Sequence, residues 1–219
     1  LALAAQSDIV LVFAGLPPHY ESEEYDRTHI DLPQNQNELI HKIARQNPNL
    51  VVVLSNGSAV TLPWEPEVPA IVEGWLSGQA GASAMADILL GHTNPSGKLS
   101  ETFPLRIEDN PSYLSFPGAE RKVMFTEGIY AGYRYYEKKK IRPLFPFGHG
   151  LSYTTFEYIN LTLSDHNPTA GDTLEVRAEV KNAGDMAGYE AVQLYVRHIG
   201  ARLPQPEKAL KTFAKIWIA

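Results

Sequence analysis

Two short apolar runs on either side of a helix-like segment constrain this chain more than any other feature: Asp8-Ile-Val-Leu-Val-Phe-Ala-Gly15 and Leu50-Val-Val-Val-Leu54. The first, apolar at nearly every position, reads as a buried strand, and the second, wholly apolar and rich in β-branched residues, has the pattern of a strand covered on both faces. Between the two, Pro33 suits a first helical position, and Leu39, Ile40 and Ile43 make an apolar stripe over residues 34–45 before Pro48 breaks the pattern. The run from Pro69 to Trp75 repeats the strand signal, and Ala84, Met85, Ile88 and Leu89 mark one side of a helix over residues 82–90 that Gly91 ends. Strands alternating with helices at this spacing imply right-handed crossovers and a mostly parallel sheet, so the fold class of residues 1–106 is α/β. The opening Leu1-Ala-Leu-Ala-Ala5 reads as the last turn of a helix cut from a longer protein, since it lacks the basic start and the long apolar core of a signal peptide.

From about Thr93 the texture changes. Pro95, Pro104, Pro111, Pro117, Pro143 and Pro146 punctuate a stretch rich in Tyr and Phe but poor in helical period, so residues 107–152 are expected to form an extended, partly stranded connector packed on the first domain. The basic run Lys138-Lys139-Lys140 fits a solvated hairpin tip there. Beyond Tyr153 the pattern alternates: Thr173 to Val180 and Ala191 to Arg197 read as strands, with Asn182-Ala-Gly-Asp185 as a turn. Residues 153–219 are therefore expected to be an incomplete all-β sandwich, since about three strands are too few to close two packed sheets.

Composition excludes several function classes. A formal net charge of -6 over 219 residues argues against a nucleic-acid or anionic-membrane partner, because both require clustered positive charge. No segment approaches the length of a membrane span, and a soluble protein, cytoplasmic or secreted, is expected. With no cysteine, disulfides and thiolate chemistry are ruled out. Asn56-Gly57-Ser58 and Asn160-Leu161-Thr162 fit the glycosylation triplet, which has meaning only in a secreted protein. Gly91-His-Thr-Asn-Pro-Ser-Gly97-Lys98 has five residues between its glycines and Leu99 after the lysine, so it is not a phosphate loop. The histidines show no metal-ligand spacing, and His19, His29 and His149 are read as surface or hydrogen-bonding groups.

Four carboxylates crowd into Glu21-Ser22-Glu23-Glu24-Tyr25-Asp26, directly after the first strand. Loops that leave the carboxyl ends of parallel strands are where open α/β sheets place their chemistry, so this loop is the candidate site, against the bland alternative of a solvated acidic turn. No Gly-x-Gly-x-x-Gly follows the strand; Gly15-Leu-Pro-Pro18 stands there instead, which weakens a dinucleotide-binding reading.

The order of blocks along the chain resembles the C-terminal half of glycoside hydrolase family 3 β-glucosidases. These blocks are Glu23-Glu-Tyr-Asp-Arg27, Leu32-Pro33, Leu54-Ser-Asn-Gly-Ser58, Gly78-Gln-Ala-Gly81, Asn94-Pro-Ser-Gly-Lys-Leu99 with Thr102-Phe-Pro104, Gly132-Tyr-Arg-Tyr-Tyr136, and Phe145-Pro-Phe-Gly-His-Gly-Leu-Ser-Tyr-Thr-Thr-Phe156. The resemblance implies a three-layer α/β sandwich with a mostly parallel sheet, the Pro-rich connector, and a truncated fibronectin type III-like domain. It implies a retaining double displacement on terminal β-glucosyl residues, with β-glucosides or cello-oligosaccharides as substrates and no cofactor or metal. The nucleophile of such enzymes is an Asp on an N-terminal (β/α)8 barrel, absent from this chain, so the chain alone is expected to be inactive. The family pattern puts the general acid/base at Glu23, with Glu21 as runner-up and Tyr25 beside the leaving-group subsite or packing the loop. It reads Asp26 and Arg27 as structural, Arg27 through orienting hydrogen bonds to carboxylates. Glu24 stands where the family commonly has Gly, and Ala80 where it has Glu, so no role passes to that position. β-Xylosidase or another exo-glycosidase activity, and a non-catalytic carbohydrate-binding module, remain open alternatives, as does a homo-oligomer.

Overall fold

The computed structural model describes residues 1–219. A short helix α1 (Ala2–Gln6) leads into β1 (Val10–Gly15), followed by α2 (Gln34–Ala44), β2 (Leu50–Ser55), β3 (Ala70–Glu73) and α3 (Gly81–Leu89). The three strands form one parallel sheet in the order β1-β2-β3, with Val10 beside Leu50 and Val51 beside Ala70. This is the strand and helix alternation that the apolar runs predict.

Packing explains the pattern of each run. β2 is central, and Leu50, Val52, Val53 and Leu54 are all buried, joined in the core by Leu32, Ile40, Val60, Leu62, Trp64 and Phe103. Each such side chain contributes about 1.5–3 kcal/mol on burial. Trp64 donates its indole N–H to Asn37 Oδ1 at 2.8 Å, which satisfies its single polar atom inside that core. Asn47 ties α1 to the sheet by donating to the Ala4 and Ser7 carbonyls at 2.8 and 2.7 Å. β1 departs from the expectation of a buried strand. As an edge strand it alternates, and Leu11 and Phe13 stay 46% and 67% exposed.

Within this first compact unit (residues 1–85, 99–149 and 197–209), the connector is less extended than its prolines suggest. It contains α4 (Tyr133–Lys139) and short 3-10 turns at Ile107–Asp109 and Gly128–Tyr130. Lys138 and Lys139 sit in the last turn of α4 and Lys140 ends it in a left-handed conformation, so the basic run is a helix terminus and not a hairpin tip. Cations are favoured there by the helix dipole, and Lys138 also pairs with Glu207 at 3.5 Å. The connector's aromatic residues pack on protein: Tyr133 stacks on Phe147 with centroids 4.8 Å apart, Phe145 meets Phe103, and Tyr136 is buried.

The second unit (residues 86–98, 150–196 and 210–219) is built from two strand pairs. β4 (Phe156–Leu163) pairs antiparallel with β5 (Val176–Asn182), and β6 (Gly188–Val196) pairs with β7 (Ala209–Ile218). Four strands stand where about three were expected. Neither β4 nor β7 was singled out in the sequence; in β4 a register shift between Ile159 and Thr162 breaks the alternation. Here the Asn94 and Lys98 block meets the Gly150 to Tyr153 block. Asn94 Oδ1 accepts from Ser152 Oγ and the Tyr153 N–H at 2.7 and 2.9 Å, and Lys98 donates to the Gly150 carbonyl at 2.7 Å.

Candidate active site

All three parallel strands end at one edge, with Gly15 beside Ser55 and Leu54 beside Glu73. The acidic segment leaves that edge. Leu16 donates to the Ser55 carbonyl at 3.1 Å, and Tyr20 and Glu21 both donate to the Pro17 carbonyl, closing a turn.

The four carboxylates then separate by environment. Glu21 points back at the loop after β2, where its carboxylate accepts the Gly57 N–H at 2.7 Å and the Ser58 hydroxyl at 3.3 Å. Arg27 lies 3.5 Å from the same carboxylate and donates to Ser58 Oγ at 2.7 Å. Glu23, Glu24, Tyr25 and Asp26 are exposed, Tyr25 at 55%. The loop is thus pinned at residues 21 and 27, and the side chains between them face water. Glu24 has φ +59, a left-handed conformation that suits glycine.

Below the loop lies a polar cluster that sequence reading did not single out. Glu73, the last residue of β3, accepts the Trp75 N–H at 2.7 Å and an amide hydrogen of Asn56 at 3.3 Å. Burial pushes its carboxyl up to about 7, against the opposing pull of those two hydrogen bonds, with Glu101 and Glu21 adding repulsion. Burial also raises Glu101, which accepts the Ala59 N–H and is held back by Arg27. The guanidinium of Arg27 is in turn lowered by its own burial, opposed by Glu21, Glu101 and Asp31. Three carboxylates and one guanidinium therefore share this site, and a part-protonated Glu73 reduces their repulsion near neutral pH. The available signal was positional: Glu73 is the one charged residue in the apolar run from Pro69 to Trp75, at a strand's carboxyl end.

Asn56 is fully buried and donates to the Ser58 carbonyl at 2.9 Å, so its glycosylation triplet is a structural turn; Asn160 is exposed. A cleft of about 510 Å³ opens nearby, lined by His29, Asp31, Thr61, Leu105, Arg106 and Glu108 among others; neither Glu23 nor Tyr25 lines it. Chemically, the loop offers an outward carboxylate on a turn fixed at both ends, which is the arrangement a proton donor needs to serve a bond presented from outside.

Comparison with known proteins agrees with this architecture. The glycosyl hydrolase family 3 C-terminal domain matches residues 1–153. The thermostable β-glucosidase B of Acetivibrio thermocellus is 51% identical over 215 residues, covering 98% of this chain and 28% of that protein. Among solved structures, the β-glucosidase of Kluyveromyces marxianus in complex with glucose superposes with a TM-score of 0.92 at 41% identity, covering 99% of this chain and 26% of that one. The GH3 β-glucosidase of Bifidobacterium adolescentis gives 0.92 at 43% identity, covering 98% and 32%. This chain therefore spans between a quarter and a third of the length of those relatives. No helix is long and apolar enough to cross a membrane. With its parallel sheet, its acidic loop and these relatives, the chain belongs to glycoside hydrolase family 3, whose C-terminal domain it carries.

Proposed function

We propose that this chain supplies the general acid/base of a retaining β-glucosidase, and that Glu23 is that group. The supporting observation is the division of labour inside the loop: Glu21 is tied inward to Gly57, Ser58 and Arg27, whereas Glu23 is exposed at its tip. The relatives named above are β-glucosidases, one of them solved with glucose bound.

In the reaction, Glu23 protonates the departing glycosidic oxygen while an Asp on a (β/α)8 barrel elsewhere in the full-length protein attacks the anomeric carbon. It then takes a proton from the water that hydrolyses the glycosyl-enzyme intermediate. Retaining chemistry requires the two carboxyl groups to come within about 5–5.5 Å across the sugar. Tyr25, exposed two residues along, offers an aromatic face to the leaving-group sugar. β-Glucosides and cello-oligosaccharides are the proposed substrates, and the chain by itself is inactive because it holds only one of the two carboxylates.

The test is Glu23→Gln in the full-length enzyme. We expect hydrolysis of glucosides with poor leaving groups to fall by about 10²–10⁴-fold, activated aryl glucosides to be affected much less in their first step, and azide to restore turnover of the latter. Equal loss on both substrate classes would remove Glu23 from this role.

A further inference from the structure

We infer that Glu21, Ser58 and Arg27 form a clasp whose function is to position Glu23, which makes Glu21 a positioning residue of the reaction; this rests on the reading of Glu23 as acid/base. The geometry is a closed ring. Glu21 and Arg27, at the two ends of the loop, meet the same hydroxyl: Arg27 donates to Ser58 Oγ at 2.7 Å, and Ser58 Oγ donates to Glu21 at 3.3 Å. The direct pair between Glu21 and Arg27, 3.5 Å apart, closes the ring. The Gly57 N–H adds a fourth point at 2.7 Å, and a backbone donor anchors the carboxylate to the rigid turn after β2 rather than to another mobile side chain.

Two further features show that the anchor is tight. A side-chain carbon on Gly57 would meet the Glu21 carboxylate oxygens at 2.9 and 3.1 Å, so it would push that carboxylate out of place. The paired side chains keep only 15% (Arg27) and 21% (Glu21) of their surface, so the ion pair is shielded from the screening that weakens exposed pairs. Residues 22–26 between the pinned ends are exposed, so little besides the clasp fixes the height and direction of the Glu23 carboxyl. A proton donor misplaced by about 1 Å costs on the order of 10²-fold in rate, which sets the scale of what the clasp maintains.

The experiment uses the full-length enzyme with Glu21→Ala, Glu21→Gln, Gly57→Ala, Glu23→Gln and the double variant Glu21→Ala/Glu23→Gln. The readout is kcat/KM on an alkyl glucoside, which needs a proton donor, and on a dinitrophenyl glucoside, which does not. We expect Glu21→Ala to lower the alkyl rate about 10–100-fold and the dinitrophenyl rate less than about 3-fold. Glu21→Gln keeps one acceptor oxygen, for either the Gly57 N–H or the Ser58 hydroxyl, and recovers only part of the loss. Gly57→Ala, which deletes no functional group, gives the same pattern more weakly and keeps the test open should Glu21→Ala fold poorly. In the double variant the Glu21 change adds no more than about 2-fold to Glu23→Gln, because a positioning residue has nothing left to position. Losses that multiply in the double variant, or equal losses on both substrates, overturn the clasp. If Glu23→Gln itself shows no leaving-group dependence, the acid/base assignment falls first.

Discussion

Gln36 pairs with both backbone groups of Gly15: its amide donates to the Gly15 carbonyl at 3.0 Å and its Oε1 accepts the Gly15 N–H at 2.9 Å. One side chain of α2 thereby completes the hydrogen bonding of the last residue of β1, at the point where the acidic loop departs. Gly15 is itself constrained, since an added side-chain carbon would stand 2.2 Å from the Ser55 carbonyl oxygen. We expect Gln36→Ala to lower stability by about 1–3 kcal/mol, the sum for two neutral hydrogen bonds whose loss leaves part-buried backbone groups unpaired. Denaturant unfolding should show a lower midpoint at unchanged slope. Gly15→Ala should cost more, because it forces the two strands apart; an unchanged midpoint in either variant would contradict this account.

Glu24 holds φ +59 beside the proposed acid/base, a conformation that costs a non-glycine residue about 1–2 kcal/mol. Glycine removes that cost and returns part of it through the entropy of the unfolded chain. We therefore expect Glu24→Gly to stabilise by about 0.5–1 kcal/mol and Glu24→Val, β-branched and worse in this region, to destabilise by about 1–2 kcal/mol. Thermal melting of the pair against the parent checks the order Gly, Glu, Val. A different order would show that contacts of the side chain outweigh its backbone.

Glu73 makes stability pH-dependent, and the sign follows from burial. Its folded value of about 7 lies above the ordinary 4.5, so the folded protein holds this proton more tightly than the unfolded chain does. The stabilisation is complete below about pH 4.5 and is lost as pH rises through about 7, amounting to about 3 kcal/mol across that window. Glu101, also raised by burial, acts in the same direction; Glu21 faces both carboxyls, and Arg27 partly neutralises Glu101. Glu73→Gln keeps an acceptor for the Trp75 N–H and should flatten the fall in unfolding free energy between about pH 5 and 7.5. A slope as steep as the parent's would move the dependence to another group.

These three sites mark where sequence reading reaches and where it stops. The apolar runs over β1 and β2 were legible because they are short and continuous, and the stripe of Leu39, Ile40 and Ile43 because it is periodic and Pro33 and Pro48 bound the helix. The exposed outer face of β1 was not, since an edge strand of this composition reads like a central one. Which of four neighbouring carboxylates turns inward was also hidden: Glu21 is fixed by Gly57 and Ser58, 36 and 37 positions away, and no local pattern carries that contact. The departure of Glu24 from the family's glycine was the one local hint of a left-handed residue, and φ +59 gives it a physical cause. Glu73 and Asn56 looked like a strand end and a glycosylation triplet; their roles emerge only when three strand ends meet at one edge.

The second unit offers a last test, in the ion pair between Lys98 and Glu190. Their charged groups lie 3.2 Å apart with side chains 16% and 10% exposed, Glu190 also accepts the Tyr158 hydroxyl at 2.8 Å, and Lys98 also donates to the Gly150 carbonyl. Burial, reinforced by Glu190, pushes the Tyr158 phenol up, so it remains a neutral donor to that carboxylate. In such a pair the attraction of the partners and the cost of removing them from water nearly offset one another, whereas removing one partner leaves a buried charge without compensation. We expect Lys98→Met to destabilise by about 3–5 kcal/mol. The second change in Lys98→Met/Glu190→Gln should recover a large part of that loss, because glutamine is neutral and still accepts from Tyr158. A double-mutant cycle by denaturant unfolding measures the coupling, and additive losses would mean that Lys98 acts through Gly150 alone.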